Sequence, residues 1–326
     1  MTYTVSDMTS STLHLLPATP ATTRVGVIDA AIPPVLEIAS GDLVELSTWS
    51  LWGNAVGPGT TLAEMLALRA EHTAAGALGP HTLTGPIAVA GAQPGDVLRV
   101  DVLELAPGPH GFNMMLPAPG SRGALADEFP AGSIAHYALD RETMSATVAP
   151  GVTLTLRPFL GIMGVAPAQD GPRGTAEPGD FGGNMDLAAL VAGTTLRLPV
   201  HRPGALFYAG DAHACQGDGE VDQMALETTM ERALLRLTVE RGAPLRLPRA
   251  ATPEHVIALA FDEDLDVAAR IAVDEAVGLI AARRGLAREE AYRLCSLAVD
   301  LAVTQLVNGV KGVHARIPRA LLSAAA

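Results

Sequence analysis

Pro86-Ile-Ala-Val-Ala-Gly-Ala-Gln-Pro-Gly-Asp-Val-Leu-Arg-Val-Asp-Val-Leu-Glu-Leu105 reads as two β runs around one turn: β-branched and leucine residues on either side of Gly91-Ala-Gln-Pro-Gly-Asp96. Alternation from Val97 to Leu105 puts Val97, Arg99, Asp101, Leu103 and Leu105 on one face and Leu98, Val100, Val102 and Glu104 on the other. A strand buried on both faces over most of its length is expected. The same texture precedes it in Pro34-Val-Leu-Glu-Ile38, Ser40-Gly-Asp42 and Leu43-Val-Glu-Leu-Ser-Thr48. It returns in Val148 to Leu156 and in Gly193 to Val200, which leads into Gly204-Ala-Leu-Phe-Tyr-Ala209. Short strands separated by turn signals predict a mainly β, sandwich or jelly-roll-like body.

Working outward, residues 1–24 are polar and read as an edge strand and a connection. Thr61 to Thr73 carries Leu62, Met65, Leu66 and Arg69 at helical spacing. Residues 106–131 and 164–183 are rich in Gly and Pro and read as long loops able to wall a pocket. Beyond residue 250 the pattern turns helical. Glu263-Asp-Leu-Asp266 opens a helix with Leu265, Ala268, Ala272, Ala276, Leu279 and Ile280 on one stripe, and Gly285 is placed to end it. A second helix is expected over Arg288 to Val307, then a last strand around Val313 to Ile317. The division is a β-rich body over 1–250 carrying the polar motif described next, and an α+β part over 251–326 packed on it.

Composition limits the function. The 326 residues are 48% apolar with mean hydropathy +0.27, broken by 33 Gly and 24 Pro, so no apolar run is long enough to cross a bilayer. A soluble protein with no membrane partner is expected. Met1-Thr-Tyr-Thr-Val-Ser-Asp7 has no basic flank or apolar run, which points to a cytoplasmic location. Two cysteines, Cys215 and Cys295, suit a reducing compartment. A net charge of −13 without a basic cluster argues against nucleic acid as a partner. Lys311 is the only lysine, and any lysine-dependent mechanism must use it.

Against that apolar background, Gly210-Asp-Ala-His-Ala-Cys-Gln-Gly-Asp-Gly-Glu-Val221 concentrates an imidazole, three carboxylates and a carboxamide. If an extended backbone continues through it, Asp211 and His213 project to one side. The glycines after them allow Asp218 and Glu220 to fold back to the same point. Two carboxylates and an imidazole suit Zn²⁺, with Ca²⁺ and Mn²⁺ as alternatives. Zinc with an open position acidifies water and polarises a carbonyl, and a carboxylate such as Glu220 could take the proton, which describes an amide or ester hydrolase. The competing reading is a glycine-rich loop whose carboxylates are capped by backbone N–H groups and whose His is solvated.

Gly183-Asn-Met-Asp186, Leu198-Pro-Val200, Pro203-Gly-Ala-Leu-Phe207 and Gly210-Asp-x-His-Ala-x-Gln-Gly-Asp-Gly-Glu-Val221 together resemble the signature of the acetamidase/formamidase family. Matches run along the chain, among them Ser40-Gly-Asp-Leu-Val-Glu45, His81-x-Leu-Thr-Gly-Pro-Ile87, Gly91-Ala-x-Pro-Gly-Asp96, Pro158-Phe-x-Gly161 and Asp262-Glu-Asp-Leu-Asp266. The resemblance implies a metal-dependent hydrolase acting on a small carboxamide to give ammonia and a carboxylate, with some members acting on γ-lactams. It implies a β-rich body and an α+β C-terminal part. Carried over by position, Asp211, His213 and Glu220 are the expected metal ligands and Glu220 and Asp218 the expected catalytic carboxylates. His81, Asn184, Asp186 and Gln216 are expected to bind substrate or support the ligands.

Two departures bear on substrate size. Ser47-Thr-Trp-Ser-Leu-Trp-Gly-Asn54 stands where the family commonly has an Asp-rich segment, and Asp222-Gln-Met224 replaces the usual Cys-Gly-Thr. Trp49 and Trp52 are therefore candidate pocket walls for a larger or more apolar substrate, a γ-lactam or a carbamate among them; two tryptophans three apart also fit a core. Cys215 stands where the family commonly has Ala and reads as a filler rather than a nucleophile. Lys311 lies outside any Glu-Lys-Cys or Ser/Lys arrangement. The remaining histidines, His314 among them, read as structural or solvated. A homo-oligomer is expected from the apolar C-terminal helices and long loops. The non-enzymatic alternative is a metal-binding β scaffold.

Overall fold

The computed structural model describes residues 11–242 and 244–323. The reading of Met1 to Asp7 lies outside the described residues, as does the first part of the expected N-terminal edge; within them, Leu13–Leu16 pairs in parallel with Leu43–Thr48. The protein is mainly β, with helices in its C-terminal part. Among the described residues, one branched sheet of 16 strands runs through it, most of its pairings antiparallel. Its longest path passes from Gly182–Asn184 through Phe159–Gly164, Phe207–Cys215, Leu226–Glu240, Val97–Met115, Thr195–Pro199, Arg249–Ala251, His255–Asp262 and Lys311–Pro318 to Asp300–Gln305.

Both branches bury the same core. Leu83 and Ile87 meet Leu98, Val100, Leu160, Ile162, Leu235 and Leu237, each at most 2% exposed, so the alternation in each strand is satisfied from two sides. The Val97 strand continues to Met115, taking in the first ten residues of the segment expected to be a loop. Leu103, expected inside, is 39% exposed, because burial on both faces ends at Val102.

The Phe207–Cys215 strand is the branch point. Its first half pairs with Thr82–Val89, through Ala209↔Thr84 and Gly210↔Leu83. Its second half pairs with Leu226–Glu240, through Ala212↔Thr228 and His213↔Glu227. The change of partner falls at Asp211, whose φ of 56° is left-handed inside a strand. Side-chain alternation is broken there, so simple extension is not what brings Asp211 and His213 together.

The helices follow their sequence signals. Leu62–Ala74 starts at a Thr61/Glu64 capping box, and Leu265–Arg284 starts at Asp264 and ends on left-handed Gly285. The second C-terminal helix stops at Ala298, not Val307. Leu301 and Ala302, helical by spacing, sit instead in the Asp300–Gln305 strand, which pairs with Lys311–Pro318. Small apolar residues are compatible with either period, and the ladder decides. No helix among the described residues is long and apolar enough to cross a membrane.

His314 lies in that last strand, its Nδ1 2.8 Å from Thr304 Oγ1. Burial pushes its pKa down to about 4 against the pull of Asp218 and with the help of Arg316. A depressed histidine leaves the folded protein with fewer protons than the unfolded chain between about 4 and 6.5, so its contribution is intact above 6.5 and lost as pH falls toward 4. In urea unfolding, the wild type is expected to lose up to about 3 kcal/mol more than His314→Gln across that interval. Parallel pH profiles for the two proteins would count against this account.

Candidate active site

Five elements deliver the polar cluster. His213 stands on the Phe207–Cys215 strand with Phe159 edge-on to its ring, centroids 4.9 Å apart at 88°. Its Nε2 lies 3.4 Å from Asp211 Oδ2 and 3.3 Å from Glu227 Oε1. Its Nδ1 lies 3.9 Å from Asp186 Oδ1. Glu220 enters from the turn closed by Gly217 O and Glu220 N, which is docked onto the C-terminal strand by Gly219 N–Thr304 O and Leu306 N–Gly219 O. Asp186 follows the Gly182–Asn184 strand, and Asn308 from the C-terminal part donates to its Oδ2 at 2.6 Å and to Asn184 O at 3.2 Å. Asp186, Asp211 and Glu220 have φ of 51°, 56° and 46°. Three carboxylate residues in the left-handed region mark a place where position outranks backbone comfort.

Gly161 makes room for the cluster. It lies in the Phe159–Gly164 strand between the Leu160–Ala212 and Ile162–Gly210 pairs. A Cβ there would meet Asp186 Oδ1 at 2.5 Å, Asp211 Oδ2 at 2.7 Å and His213 Cε1 at 2.7 Å.

The charges do not balance. Burial alone would keep His213 neutral, yet Glu227 and Asp211 hold its pKa well above the ordinary value. Burial pushes Glu227 up to about 8 and Asp186 up to about 6. Burial and the neighbouring Asp186 hold Glu220 well above the carboxylate range. Asp211 is kept low against its burial by His81 and His213, while burial lowers His81. Protons thus stand in for positive charge that four carboxylates around one central imidazole lack. A divalent cation held there would supply that charge.

The donor atoms fit one. Asp186, His213 and Glu220, and separately Asp211, His213 and Glu227, can each bring ligand atoms within 4.8 Å of one another. In the first group every residue has a buried atom without a hydrogen-bond partner among the described residues: Asp186 Oδ1, His213 Nδ1 and Glu220 Oε2. The imidazole geometry agrees: Nε2 faces two carboxylates and keeps its proton, so the proton at Nδ1, toward Asp186, is the one a cation would replace.

The other expected residues divide clearly. His81 lines the cleft, its Nε2 3.8 Å from Asp211 Oδ1 and its Nδ1 2.9 Å from Thr175 Oγ1. Asn184 lines it too, with Nδ2 donating to Ala176 O and Oδ1 unpartnered. Gln216 braces Asp186 by donating from Nε2 to its backbone carbonyl at 3.0 Å. Asp218 does not reach the cluster: it is exposed and lines a neighbouring depression with Cys215 and Gln216. The turn that lowers Glu220 inward leaves Asp218 outward. Cys215 is half-buried, and burial pushes its thiol pKa up. Trp49 is half-buried and outside the cleft lining, whereas Trp52, with φ 48°, forms part of the wall. Segments 114–122 and Ala176 add to that wall, so parts of both expected loop regions do reach the pocket. The cleft holds about 440 Å³.

Glu227 and Asn308 escaped the sequence reading. Glu227 is the one charged residue between Gln223 and Met230, a signal available only once the strand's inward face is known. Asn308 lies 122 residues from Asp186, and nothing in its neighbourhood announces the contact.

A buried carboxylate–imidazole centre at the branch point of a large β-sheet, with Asp211, Glu220 and Glu227 on the wall of the cleft, defines the class. The profile of the Acetamidase/Formamidase family matches residues 28–173 and 168–322, and the chain belongs to that family. Among relatives, the acetamidase of Mycolicibacterium smegmatis is 27% identical over 200 residues, covering 44% of this chain and 49% of that protein. A putative formamidase of Schizosaccharomyces pombe is 26% identical over 233 residues, covering 53% and 57%. These matches span about half the length of the curated relatives. The crystal structure of an acetamidase from Bacillus halodurans superposes with a TM-score of 0.84 at 29% identity, covering 94% of this chain and 97% of that one. A γ-lactamase from Delftia acidovorans, at 20% identity and a TM-score of 0.64 over 92% and 89% of the two chains, shares the fold.

Proposed function

We propose that the protein hydrolyses a carboxamide to a carboxylate and ammonia, with a divalent ion, zinc by donor chemistry, held by Asp186, His213 and Glu220. The observation that carries this reading is the set of three buried, unpartnered donor atoms beside the cleft. When bound, the ion supplies Lewis acidity toward the amide carbonyl and the attacking water. Asn184 Oδ1 is free to accept from the carboxamide N–H, which orients the carbonyl carbon. Asp211 Oδ2, 3.4 Å from His213 Nε2, favours the tautomer that leaves Nδ1 bare for the ion. Glu227 lines the cleft, with Oε1 accepting from Ala225 N. It takes a proton from the attacking water and returns it to the amide nitrogen as the C–N bond breaks.

The cleft volume favours a second reading of the substrate. About 440 Å³, walled by Leu51, Trp52, Met114 and Leu116, falls in the range of pockets that enclose ligands larger than a two-carbon amide. A longer aliphatic amide, a lactam or a carbamate fits that wall.

Ammonia release from acetamide, longer primary amides and N-unsubstituted carbamates, and the ring-opened amino acid from lactams, measured beside elemental analysis, tests both readings. Chelator treatment is expected to remove activity and added zinc to restore it; stripped protein that stays fully active would refute the metal role. Glu227→Gln is expected to keep its metal and lose about 10²–10⁴-fold in turnover, whereas Glu220→Gln loses metal and activity together. The opposite pattern would exchange the two roles.

A further inference from the structure

Three arginines stand in a row across neighbouring strands. Strand register pairs Arg197 directly with Arg99 on one side and with Arg249 on the other. Their chain neighbours Leu98, Leu196, Leu198 and Ala250 are buried in the core, so all three guanidinium groups leave by the opposite face. Like charges directly opposite one another in a ladder are destabilising. Two more close over the row: Arg283 from the last turn of the Leu265–Arg284 helix, and Arg319 from the start of the Arg319–Leu322 helix. All five line one cleft of about 840 Å³, together with apolar Leu279 and Leu322.

Carboxylates do not match this count. Among the described residues lining the cleft, Glu240 is the one carboxylate; it is bidentate to Arg197, at 2.7 and 3.0 Å, and 3.9 Å from Arg99. Asp101 holds Arg99 at 2.9 Å. Glu275 lies 3.6 Å from Arg249 but 2.7 Å from Arg246, outside the lining. Arg319 donates through Nε to the Thr252 carbonyl. Among the described residues, Arg283 and Arg319 have no carboxylate within 4.0 Å. This surplus of cations stands in a chain whose net charge is −13.

We propose that this cleft binds a small phosphate-bearing anion. Planar guanidinium forks present paired N–H donors in the geometry that phosphate oxygens accept, and a multivalent oxyanion removes the repulsion along the row. Burial foremost, against the pull of Glu275 and with the help of Arg197 and Arg283, holds Arg249 below the ordinary guanidinium value. Leu279 and Leu322 offer the same ligand an apolar contact. No residue lines both this cleft and the one at His213, so the two can be tested apart.

Inorganic pyrophosphate is the probe, titrated calorimetrically into the full-length protein at constant ionic strength. Saturable binding of one anion per chain is expected, weakened about tenfold or more in Arg283→Gln/Arg319→Gln, which leaves every carboxylate-paired arginine in place. Amide hydrolysis by the double variant is expected to equal that of the wild type. Arg197→Gln should also abolish binding, and circular dichroism checks that it folds. No saturable binding at millimolar pyrophosphate, or binding unchanged in the double variant, would overturn the proposal. So would self-association in sedimentation that depends on Arg283 and Arg319 without pyrophosphate binding, since that outcome gives the cleft to an acidic surface of a second copy.

Discussion

His213→Ala is expected to remove metal and turnover together, with activity down by about 10²-fold or more, since changes to residues that merely support ligands already cost 10–100-fold. His213 is the only group common to both potential ligand sets, and it is 1% exposed at the centre of four carboxylates. Its Nε2 contacts Asp211 and Glu227, and its Nδ1 faces Asp186. Truncation leaves those carboxylates buried without a positive partner, a change that costs about 3–5 kcal/mol where the charges cannot relax. The readouts are bound zinc per chain, ammonia release and the urea midpoint. A variant that keeps stoichiometric metal and most of its turnover would remove His213 from the mechanism.

Gly161→Ala is expected to be nearly as damaging, although Gly161 carries no chemistry. The added methyl would stand 2.5 Å from Asp186 Oδ1 and 2.7 Å from both Asp211 Oδ2 and His213 Cε1, distances at which atoms must move. None of the three can yield cheaply. Asp186 is pinned by Asn308 and Gln216, and its backbone N donates to Gly161 O; Asp211 is fixed by the change of strand partner; and His213 is packed against Phe159. Overpacking of this kind costs about 1–3 kcal/mol. The larger effect falls on activity, since a displacement of about 1 Å at a reacting centre can cost about 10²-fold. The variant should fold, with a modestly lowered urea midpoint, and should bind metal weakly. Normal turnover in Gly161→Ala would show that the cluster tolerates movement and would count against its role as the reacting centre.

The particular residues show where sequence reading holds. The Thr61/Glu64 box and Gly285 are local devices, satisfied within one turn, and the helices they bound appear where the spacing puts them. Asp211, His213 and Glu220 belong to a single polar stretch in an apolar chain, so composition marked the stretch, while the left-handed backbone at Asp211, not its spacing, sets it beside His213. Asp218 shares that stretch and points outward, because the turn's φ values, not its composition, choose which side chain descends. Leu301 and Ala302 carry a helical pattern and form a strand, because a ladder with Lys311–Pro318 was available to them.

The chain by itself determined a mainly β body, the helices near its end, the family to which it belongs and the motif that holds much of the site. Periodicity, caps and clustered polar residues are local properties, and they survive whatever the rest of the molecule does. Only the tertiary structure decided that Glu227 faces His213, that Asn308 holds Asp186, that Gly161 leaves the space they need, and that Arg99, Arg197 and Arg249 stand side by side. Each of these depends on which strands become neighbours and in what register. That choice is made by burial summed over the whole sheet, which no window of sequence contains.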